Sequence, residues 1–339
     1  MKFKKILLTR MKYIGDVVLT TPIIRTLREA YPETYISYLG DAKAVSLLQN
    51  NPFLDEIIPF DFSKDSLPYQ LKMYALMYSK GFDLTIDLYS NPRSALMTFA
   101  TRATMRIGGD SKSRGKFYTH RISDDGLLKS AIDYHYMSLK PLGIVPKHYK
   151  TEIFLTVEER SDAKRLLQSI GVDVLKKIVA IHPGATWPNK IWLKEHFAGL
   201  IKNIIEKTDC EIILSPGPHD SELMNYLKNQ YTSRVTILPM LPVRELASIL
   251  SQSTVFVSND CGPMHIGVAV GTKTIGIFGP EPIEIWFPYD RNEGHLPMFK
   301  KLFCSPCRTT SCFREGNETM ECMKLITVEE VFKAVRERL

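Results

Sequence analysis

The sequence lacks an apolar run long enough to cross a membrane. Its longest apolar runs have the length of strands, whereas a spanning helix needs about 20 residues. The first nine residues are similar to a secretory signal, but their apolar part is short. Arg10 and Lys12 interrupt it, with no small-residue cleavage site behind. We interpret this segment as the first buried strand and expect a cytoplasmic protein.

The sequence also lacks the motifs of several common classes of protein. No G-x-G-x-x-G follows the first strand, which argues against hydride transfer with a dinucleotide. Neither a nucleic-acid-binding motif nor a repeat of solenoid length is present. The hydrophobic fraction of 44% and the charged fraction of 24% are those of an ordinary globular protein.

Positive charge is concentrated in the first half of the chain. Residues 1–170 contain 25 Lys and Arg against 18 Asp and Glu, whereas residues 171–339 contain 19 of each. The net charge of +7 therefore belongs to the first half, which predicts an anionic partner there. Nucleic acid, a phosphorylated small molecule and an anionic membrane surface all fit this charge.

Short β-rich runs alternate with amphipathic helical stretches. This alternation predicts an α/β protein with parallel sheets and crossover helices, and 339 residues suffice for two domains. We predict one domain over 1–170, a second over 171–326 and a final helix over 327–339. The predicted strands are Lys5–Thr9, Tyr35–Leu39, Asp83–Leu88, Met105–Ile107, Ile178–His182, Glu211–Ser215, Val235–Leu238, Val255–Ser258 and Thr274–Phe278.

The loop after the first strand is the first candidate site. In an open parallel sheet, ligands bind beyond the carboxyl ends of the strands, where residues 10–16 lie. Gly15 permits a tight turn. Asp16 either begins the helix as its N-cap, the commoner role for such a residue, or supplies a carboxylate for chemistry.

The loop over 182–192 suits a diphosphate. It joins a predicted strand to a predicted helix and contains Gly184, Thr186 and Lys190. Backbone N–H groups and the Thr186 hydroxyl can contact phosphate oxygens, and Lys190 can neutralise a leaving group. The alternative is a proline-rich loop with a solvated lysine.

A second anion site is predicted over 255–265. A buried strand ends there in Asn259-Asp260, and Pro263 is placed as the first helical residue. The free N–H groups of that helix start would meet an anion, and His265 could donate to a phosphate or a sugar. The alternative is a capped helix with a packed histidine.

Taken together, these motifs resemble the heptosyltransferase family of bacterial lipopolysaccharide assembly, glycosyltransferase family 9. The spacing agrees over nearly the whole chain. The residues that carry the resemblance are Gly15-Asp16, Leu19-Thr20-Thr21-Pro22, His182-Pro183-Gly184, Lys190-Ile191-Trp192, Asp260, Gly262, His265 and the tail Cys304-Ser305-Pro306-Cys307.

The resemblance implies a GT-B fold, in which two Rossmann-like domains face each other across a cleft. It also implies ADP-heptose as the donor and a Kdo-bearing lipid A core as the acceptor. Carried over, Asp16 is the general base of an inverting, metal-independent transfer. Thr186, Lys190 and the backbone at Cys261-Gly262 hold the diphosphate, Asp260 binds sugar hydroxyls, and His265 binds the phosphate or the sugar.

The chain departs from the family at two places, and its acceptor side is less sharply defined. Cys261 stands where members often have Thr or Ser, and the ribose ligand is one of His219, Asp220 and Glu222. For the anionic acceptor we expect a basic loop that contains Arg106, Arg114 and Arg121. Such an acceptor predicts peripheral contact with the inner face of the cytoplasmic membrane.

The cysteine-rich tail leaves a choice open. Its later spacing matches no common zinc class, and a disulfide framework is not expected in a reducing cytosol. Reduced thiols and a structural Zn²⁺ remain, at Cys304, Cys307, Cys312 and Cys322.

Two other functions compete with heptose transfer. One is another GT-B nucleotide-sugar enzyme, either a transferase with a different donor sugar or a nucleotide-sugar epimerase. An epimerase needs no large basic acceptor surface, so the uneven charge argues against it. The other is a nucleic-acid-binding module, which leaves the loops of Lys190 and His265 unexplained.

Overall fold

Two compact units, Met1–Phe154 and Leu155–Leu339, make up the fold. The computed structural model describes residues 2–110, 113–218, 220–231 and 234–339. Each unit contains a six-stranded sheet in which every described pair of neighbouring strands is parallel. Among the described residues, none of the helices has the length and apolar character needed to cross a bilayer.

The first unit is a doubly wound sheet with strand order β3-β2-β1-β4-β5-β6. Its strands are β1 (Lys5–Thr9), β2 (Tyr35–Asp41), β3 (Glu56–Phe60), β4 (Leu84–Asp87), β5 (Met105–Gly109) and β6 (His120–Ile122). Its helices are α1 (Ile14–Val18), α2 (Thr21–Ala30), α3 (Ala42–Val45), α4 (Leu67–Ser79), α5 (Pro92–Ala100) and α6 (Ala131–Met137). Short 3₁₀ turns lie at Ser46–Leu48, Phe62–Lys64, Gly115–Phe117 and Lys140–Leu142.

The second unit repeats this winding in its own sheet. Its strands are β7 (Ile178–His182), β8 (Glu211–Leu214), β9 (Val235–Ile237), β10 (Val255–Asn259), β11 (Lys273–Ile277) and β12 (Leu296–Met298), in the order β12-β11-β10-β7-β8-β9. Its helices are α7 (Val157–Ser169), α8 (Lys194–Lys207), α9 (Ser221–Gln230), α10 (Val243–Leu250), α11 (Gly262–Ala269), α12 (Ile283–Trp286), α13 (Glu321–Lys324) and α14 (Val328–Arg336). Short 3₁₀ turns lie at Pro188–Lys190, Arg291–Glu293 and Gly316–Glu318.

The predicted α/β fold of two doubly wound parallel sheets is confirmed. In both sheets the first strand of the unit, β1 or β7, lies in the middle of the sheet. The inner residues of both strands are apolar. Strand β7 is buried at every residue, because crossover helices cover both faces of such a sheet. Successive strands are added first on one side of this central strand and then on the other. The strand order therefore reverses between β1 and β4 and between β7 and β10.

The boundary between the units differs from the predicted one. The first domain was predicted to end at residue 170, but α7 belongs to the second unit, which begins at Leu155. Helix α7 begins at a capping box, in which Thr156 Oγ1 accepts the N–H of Glu159 at 3.1 Å. Glu159 also forms an ion pair with Arg244 on α10, with Nη2 and Oε2 2.9 Å apart. This pairing attaches the helix to the second unit.

The C-terminal helix is also part of the second unit. Helix α14 starts at a capping box, in which the N-cap is Thr327 and its partner is Glu330. Its buried face, Val331, Phe332 and Val335, packs into the same core as α8 and β7. The segment over 327–339 is therefore a layer of the second unit and not a separate element.

Candidate active site

Each sheet has one place where a ligand is expected, the carboxyl edge at the point where the strand order reverses. In the first unit this edge lies beyond β1 and β4, whose ends are in register at Thr9 and Asp87. In the second unit it lies beyond β7 and β10, which are in register at His182 and Ser258. The predicted loops follow β1, β7 and β10, so their positions agree with this rule.

Asp16 lies on the first turn of α1, directly beyond β1. The N-cap of this helix is Tyr13, and Asp16 is the third helical residue. The alternative in which Asp16 is itself the N-cap was therefore wrong. The carboxylate nevertheless serves the helix start, because its Oδ2 accepts the backbone N–H of Tyr13 at 3.2 Å. Its Oδ1 forms an ion pair with the guanidinium of Arg10. The carboxylate is thus held at both oxygens.

Arg10 is the residue that orients Asp16, and sequence reasoning missed it. Its guanidinium carbon lies 4.2 Å from the centroid of the Tyr89 ring, which follows β4. The Arg10 and Asp16 side chains are 10% and 15% exposed, so the carboxylate is shielded but can still be reached. Burial, and secondarily the charge of Arg10, lowers the pKa of nearby His135 to about 3. This histidine is therefore neutral at physiological pH.

A buried carboxylate at the end of β4 fixes the loop that carries Tyr89. Asp87 Oδ1 accepts the N–H groups of Tyr89 at 2.9 Å and Ser90 at 2.8 Å. Its Oδ2 accepts the Tyr118 hydroxyl at 2.7 Å. Burial raises the pKa of Asp87, while these hydrogen bonds oppose the rise. The signal in the sequence was an acidic residue at the end of an apolar strand.

The three predicted acceptor arginines lie in different places. Arg106 is near the amino end of β5, away from the ligand edge, and its guanidinium donates to Phe117 O at 2.9 Å and Ala103 O at 2.6 Å. This position indicates a structural role and corrects the prediction for Arg106. The sequence showed a basic cluster but not which end of the strand each member occupies.

The other two arginines lie towards the carboxyl edge of β5 and β6. Arg114 precedes the turn Gly115–Phe117, and its Nε is buried with no hydrogen-bond partner among the described residues. Arg121 lies on β6, and its side chain is 54% exposed, with Nη1 3.9 Å from Asp110 Oδ1. Both can therefore offer guanidinium groups to an anion.

Lys190 and Asp260 meet at the carboxyl edge of the second sheet. Their Nζ and Oδ2 atoms are 2.7 Å apart, and the side chains are only 16% and 5% exposed. Burial raises the pKa of Asp260, and Lys190 opposes this rise. Lys190 Nζ also lies 4.6 Å from the centroid of the Trp187 ring. Two predicted donor residues on separate loops are thus brought together.

Asn259 holds these two loops in place, and it was not singled out from the sequence. Its amide nitrogen donates to Pro183 O at 2.7 Å and Gly184 O at 3.2 Å. Its Oδ1 accepts the N–H of Trp192 at 3.1 Å. The side chain is fully buried, so it fixes both the beginning and the end of the Lys190 loop.

The other residues that were predicted to bind the donor lie close in sequence to Lys190 or to Asp260. Thr186 is exposed on the loop after β7. Cys261 is the N-cap of α11, Pro263 has no N–H, and the N–H of Met264 donates to Cys261 O at 3.1 Å. Gly262 therefore carries the first N–H of this helix that has no partner within the helix. The Cys261 thiol contacts Ser258 Oγ at 3.3 Å, and burial raises its pKa to about 12. The thiol is therefore protonated, and anion contact through the backbone at Cys261-Gly262 stays a prediction.

His265 is buried against Tyr289. Its Nδ1 lies 2.5 Å from the Tyr289 hydroxyl, and the two rings meet edge to face. The Nδ1 side of the His265 ring is thus packed, as the alternative interpretation predicted. Ligand contact through His265 stays a prediction.

Two of the candidate ribose ligands, Asp220 and Glu222, lie near a cavity of about 480 Å³ beyond β8 and β9. Asp220 is turned towards the loops, because its Oδ2 accepts the N–H of Gly217 at 2.7 Å. A Cβ at Gly184 would lie 1.8 Å from the same oxygen, so only glycine fits there. Glu222 is exposed on the first turn of α9, while His219 lies outside the described residues. The cavity is lined by Pro216, Gly217, Pro218, Ser221, Met224, Asn225, Lys228, Ile237 and Met240.

The tail cysteines make contacts of their own. Cys307 Sγ lies 3.1 Å from Thr309 Oγ1, and Cys312 Sγ accepts the N–H of Met320 at 3.3 Å. Burial raises the pKa of Cys322 to about 11, and the charges of Cys307, Cys304 and Cys312 add to the rise. In the part of the chain that the structure describes, no group of three or more His, Cys, Asp or Glu is arranged to hold a metal ion. The tail also contacts the loop that contains Lys190, since Asn189 Nδ2 donates to Thr309 O at 2.6 Å.

The chain is similar to known glycosyltransferases. The model of glycosyltransferase family 9 (heptosyltransferase) matches residues 72–317. Lipopolysaccharide heptosyltransferase 3 of Escherichia coli K12 is 25% identical over 295 residues, which cover 83% of this chain and 84% of the relative. Lipooligosaccharide heptosyltransferase 2 of Campylobacter jejuni is 25% identical over 341 residues, covering 99% and 98%.

Solved structures share the fold. A family 9 glycosyl transferase from Veillonella parvula has a TM-score of 0.85 at 23% identity, with 99% of this chain and 97% of that chain covered. The ADP-heptose lipopolysaccharide heptosyltransferase II of E. coli has a TM-score of 0.80 at 18% identity, with 98% of each chain covered.

Proposed function

Because the chain belongs to glycosyltransferase family 9, the heptosyltransferase family, we propose that it transfers heptose from ADP-heptose to a lipopolysaccharide inner core that contains Kdo or heptose. The choice of donor is supported by the E. coli heptosyltransferase II of the same fold, which is an ADP-heptose enzyme. The choice of acceptor class is supported by the relatives, which are lipopolysaccharide and lipooligosaccharide heptosyltransferases.

The observation that carries this proposal is the buried ion pair of Lys190 with Asp260, next to the N-terminus of α11. A diphosphate needs positive charge without competing water, and both a shielded lysine and helix N–H groups supply it. When the donor binds, its diphosphate shares Lys190 with Asp260. The Asp260 carboxylate then accepts hydroxyl groups of the sugar, while Thr186 donates to phosphate oxygens.

The proposed reaction is a single displacement with inversion. Asp16 takes the proton of the acceptor hydroxyl as this oxygen attacks the anomeric carbon. The bond between that carbon and the diphosphate oxygen breaks, and ADP leaves with the electron pair. Lys190 and the first N–H groups of α11 stabilise the charge that develops on ADP. These groups make a metal-independent reaction feasible.

The charge of the first unit supports the proposed acceptor and location. The first unit carries 22 Lys and Arg against 15 Asp and Glu over residues 1–154, so it attracts the phosphate and carboxylate groups of a lipid A core. We propose that Arg114 and Arg121 contact these groups. A lipid-borne acceptor places the enzyme in the cytoplasm, peripherally at the inner face of the cytoplasmic membrane.

Calorimetric titration with ADP, UDP and GDP tests the donor. We expect selective binding of ADP, weakened at least about tenfold by Lys190→Ala, because a shielded cation contributes strongly to phosphate binding. Lys202→Ala on α8 is the matched control, since its side chain is 63% exposed. Preference for UDP or GDP points to another nucleotide-sugar enzyme, an epimerase included. Absence of binding to all three removes the basis of the proposal.

A further inference from the structure

Helix α4 is apolar on two faces, of which only one is covered. Met73 and Met77 are buried in the core of the first unit. On the outer face, Leu67, Leu71 and Tyr78 are 67%, 55% and 66% exposed. With Tyr74 they follow the spacing i, i+4, i+7 and i+11, which aligns side chains along one side of a helix.

The neighbouring helix α5 extends this apolar surface. A groove of about 720 Å³ lies there, lined by Tyr74, Tyr78, Leu96, Phe99, Ala100 and Arg102. Leu96 is 39% exposed, and the guanidinium carbon of Arg102 lies 5.0 Å from the Phe99 ring centroid. The surface therefore combines aliphatic and aromatic side chains with a cation at its rim.

The charged side chains that α4, α5 and the segments next to them contribute to this surface are basic. Residues 66–82 and 88–109 contain no Asp or Glu, but five Lys and Arg: Lys72, Lys80, Arg93, Arg102 and Arg106. Lys80 and Arg93 are paired with carboxylates of other segments, Glu56 and Asp65. Within the described residues, no carboxylate forms an ion pair with the other three.

We propose that this α4/α5 face is the surface by which the protein docks on an anionic lipid bilayer. An interfacial segment needs an apolar face that enters the headgroup region and basic side chains that meet anionic lipids. Tyrosine suits this position, because its ring is apolar and its hydroxyl stays in water. A protein partner with an acidic face, or a second copy of this chain, is the competing occupant.

This inference rests on the proposed function, since a lipid-borne acceptor is what brings the enzyme to the membrane. It is separable from that function, because the α4/α5 face lies in the first unit and includes none of the donor residues. Loss of the face should therefore leave ADP binding intact. Transfer to an acceptor without its lipid should be unchanged, whereas transfer to an acceptor embedded in vesicles should fall.

The test is co-sedimentation of the full-length protein with phosphatidylcholine vesicles, with and without phosphatidylglycerol. We expect binding to the anionic vesicles that weakens as salt is added. Leu71→Glu with Tyr78→Glu should lower this binding at least about tenfold, because it places two charges in the apolar contact. Lys72→Gln with Arg102→Gln should weaken it less and reduce its salt dependence. Leu175→Glu in the second unit is the matched control, since Leu175 is 94% exposed.

Thermal unfolding of each variant separates docking from folding. Equal midpoints with lost vesicle binding support the proposal. Unchanged vesicle binding in the Leu71/Tyr78 variant overturns the proposal. A wild-type protein that binds ADP but neither kind of vesicle also overturns it. A change in the sedimenting mass of the variant without lipid also overturns it, because the face would then join copies of the chain.

Discussion

Lys190 and Asp260 form an ion pair across two loops that leave the central strands β7 and β10, with Nζ and Oδ2 2.7 Å apart. Both groups are shielded from water, so each depends on the other. A phosphate group that binds Lys190 must compete with Asp260. If Lys190 binds the donor diphosphate as proposed, the pair links the stability of the second unit to its affinity for the donor.

The ion pair predicts a measurable coupling between the two residues. We expect Lys190→Met and Asp260→Asn each to lower the free energy of unfolding, and the double variant to lose less than their sum. The coupling energy should be about 1–3 kcal/mol, because either single change leaves a shielded polar group unpaired. Urea unfolding measures it. The exposed pair Lys202–Glu206 on α8 is the control, where about 0.5 kcal/mol or less is expected. Equal coupling at both pairs would contradict this account.

Removing the proposed base should separate binding from turnover. Asp16→Asn keeps the hydrogen bond from the Tyr13 N–H but cannot take a proton. We expect ADP binding to stay within about twofold and kcat to fall about 10²–10⁴-fold, the usual contribution of general base catalysis. Asp124→Asn, at an exposed position of the same unit, should leave kcat unchanged. Near wild-type turnover in the Asp16 variant would exclude Asp16 as the base.

Arg10 is predicted to be a positioning residue for Asp16. Arg10→Met removes the ion pair but keeps part of the contact with Tyr89. We expect kcat to fall about 10–100-fold with little change in KM for the donor, because a displaced base affects the chemical step most. Arg10→Lys should restore part of kcat by restoring the charge. A variant that loses only stability, with kcat per folded molecule unchanged, would assign Arg10 a purely structural role.

His135 should make the first unit sensitive to mild acid. Its pKa is lowered from 6.5 to about 3 in the folded protein, so below pH 6.5 the unfolded chain binds the extra proton. Stability therefore falls as the pH falls from about 6.5 to about 3, by about 2 kcal/mol at pH 5. His135→Leu should remove this part of the pH dependence in urea unfolding at pH 7 and pH 5. The exposed His120→Leu variant is the control, and an unchanged slope for His135→Leu would contradict the prediction.

Metal dependence can be measured directly. We expect EDTA to leave the transfer rate unchanged, because Lys190 and the N-terminus of α11 neutralise the leaving group. A rate that falls with EDTA and returns with a divalent cation would contradict this expectation. Elemental analysis of the protein purified with reductant tests the tail separately. One zinc per chain, lost in Cys307→Ser and Cys322→Ser, would select the structural-metal alternative over reduced thiols.

The central strands could be predicted from the sequence, whereas three edge strands could not. Strands β1 and β7 were predicted with their observed bounds, because both are apolar runs bounded by polar residues. Strands β3, β6 and β12 lie at the sheet edges and were missed. They are short or partly exposed, and Pro59 and Pro297 interrupt two of them, as proline does at edges.

Some residues of the candidate site could likewise be predicted from the sequence, and others could not. Asp16, Lys190 and Asp260 follow central strands, so the rule of the carboxyl edge located them. Arg10, Asp87 and Asn259 each also contact a residue far away in sequence: Tyr89, Tyr118 and Trp192, respectively. Such pairings depend on strand register and cannot be derived from local spacing.

The most direct test is the transfer reaction itself. The purified protein is incubated with ADP-heptose and a delipidated inner-core oligosaccharide, and the product linkage is determined by NMR. We predict transfer of heptose, which depends on Asp16 and gives an anomeric configuration opposite to that of the donor. Retained configuration, or release of ADP without a glycosylated product, would contradict it.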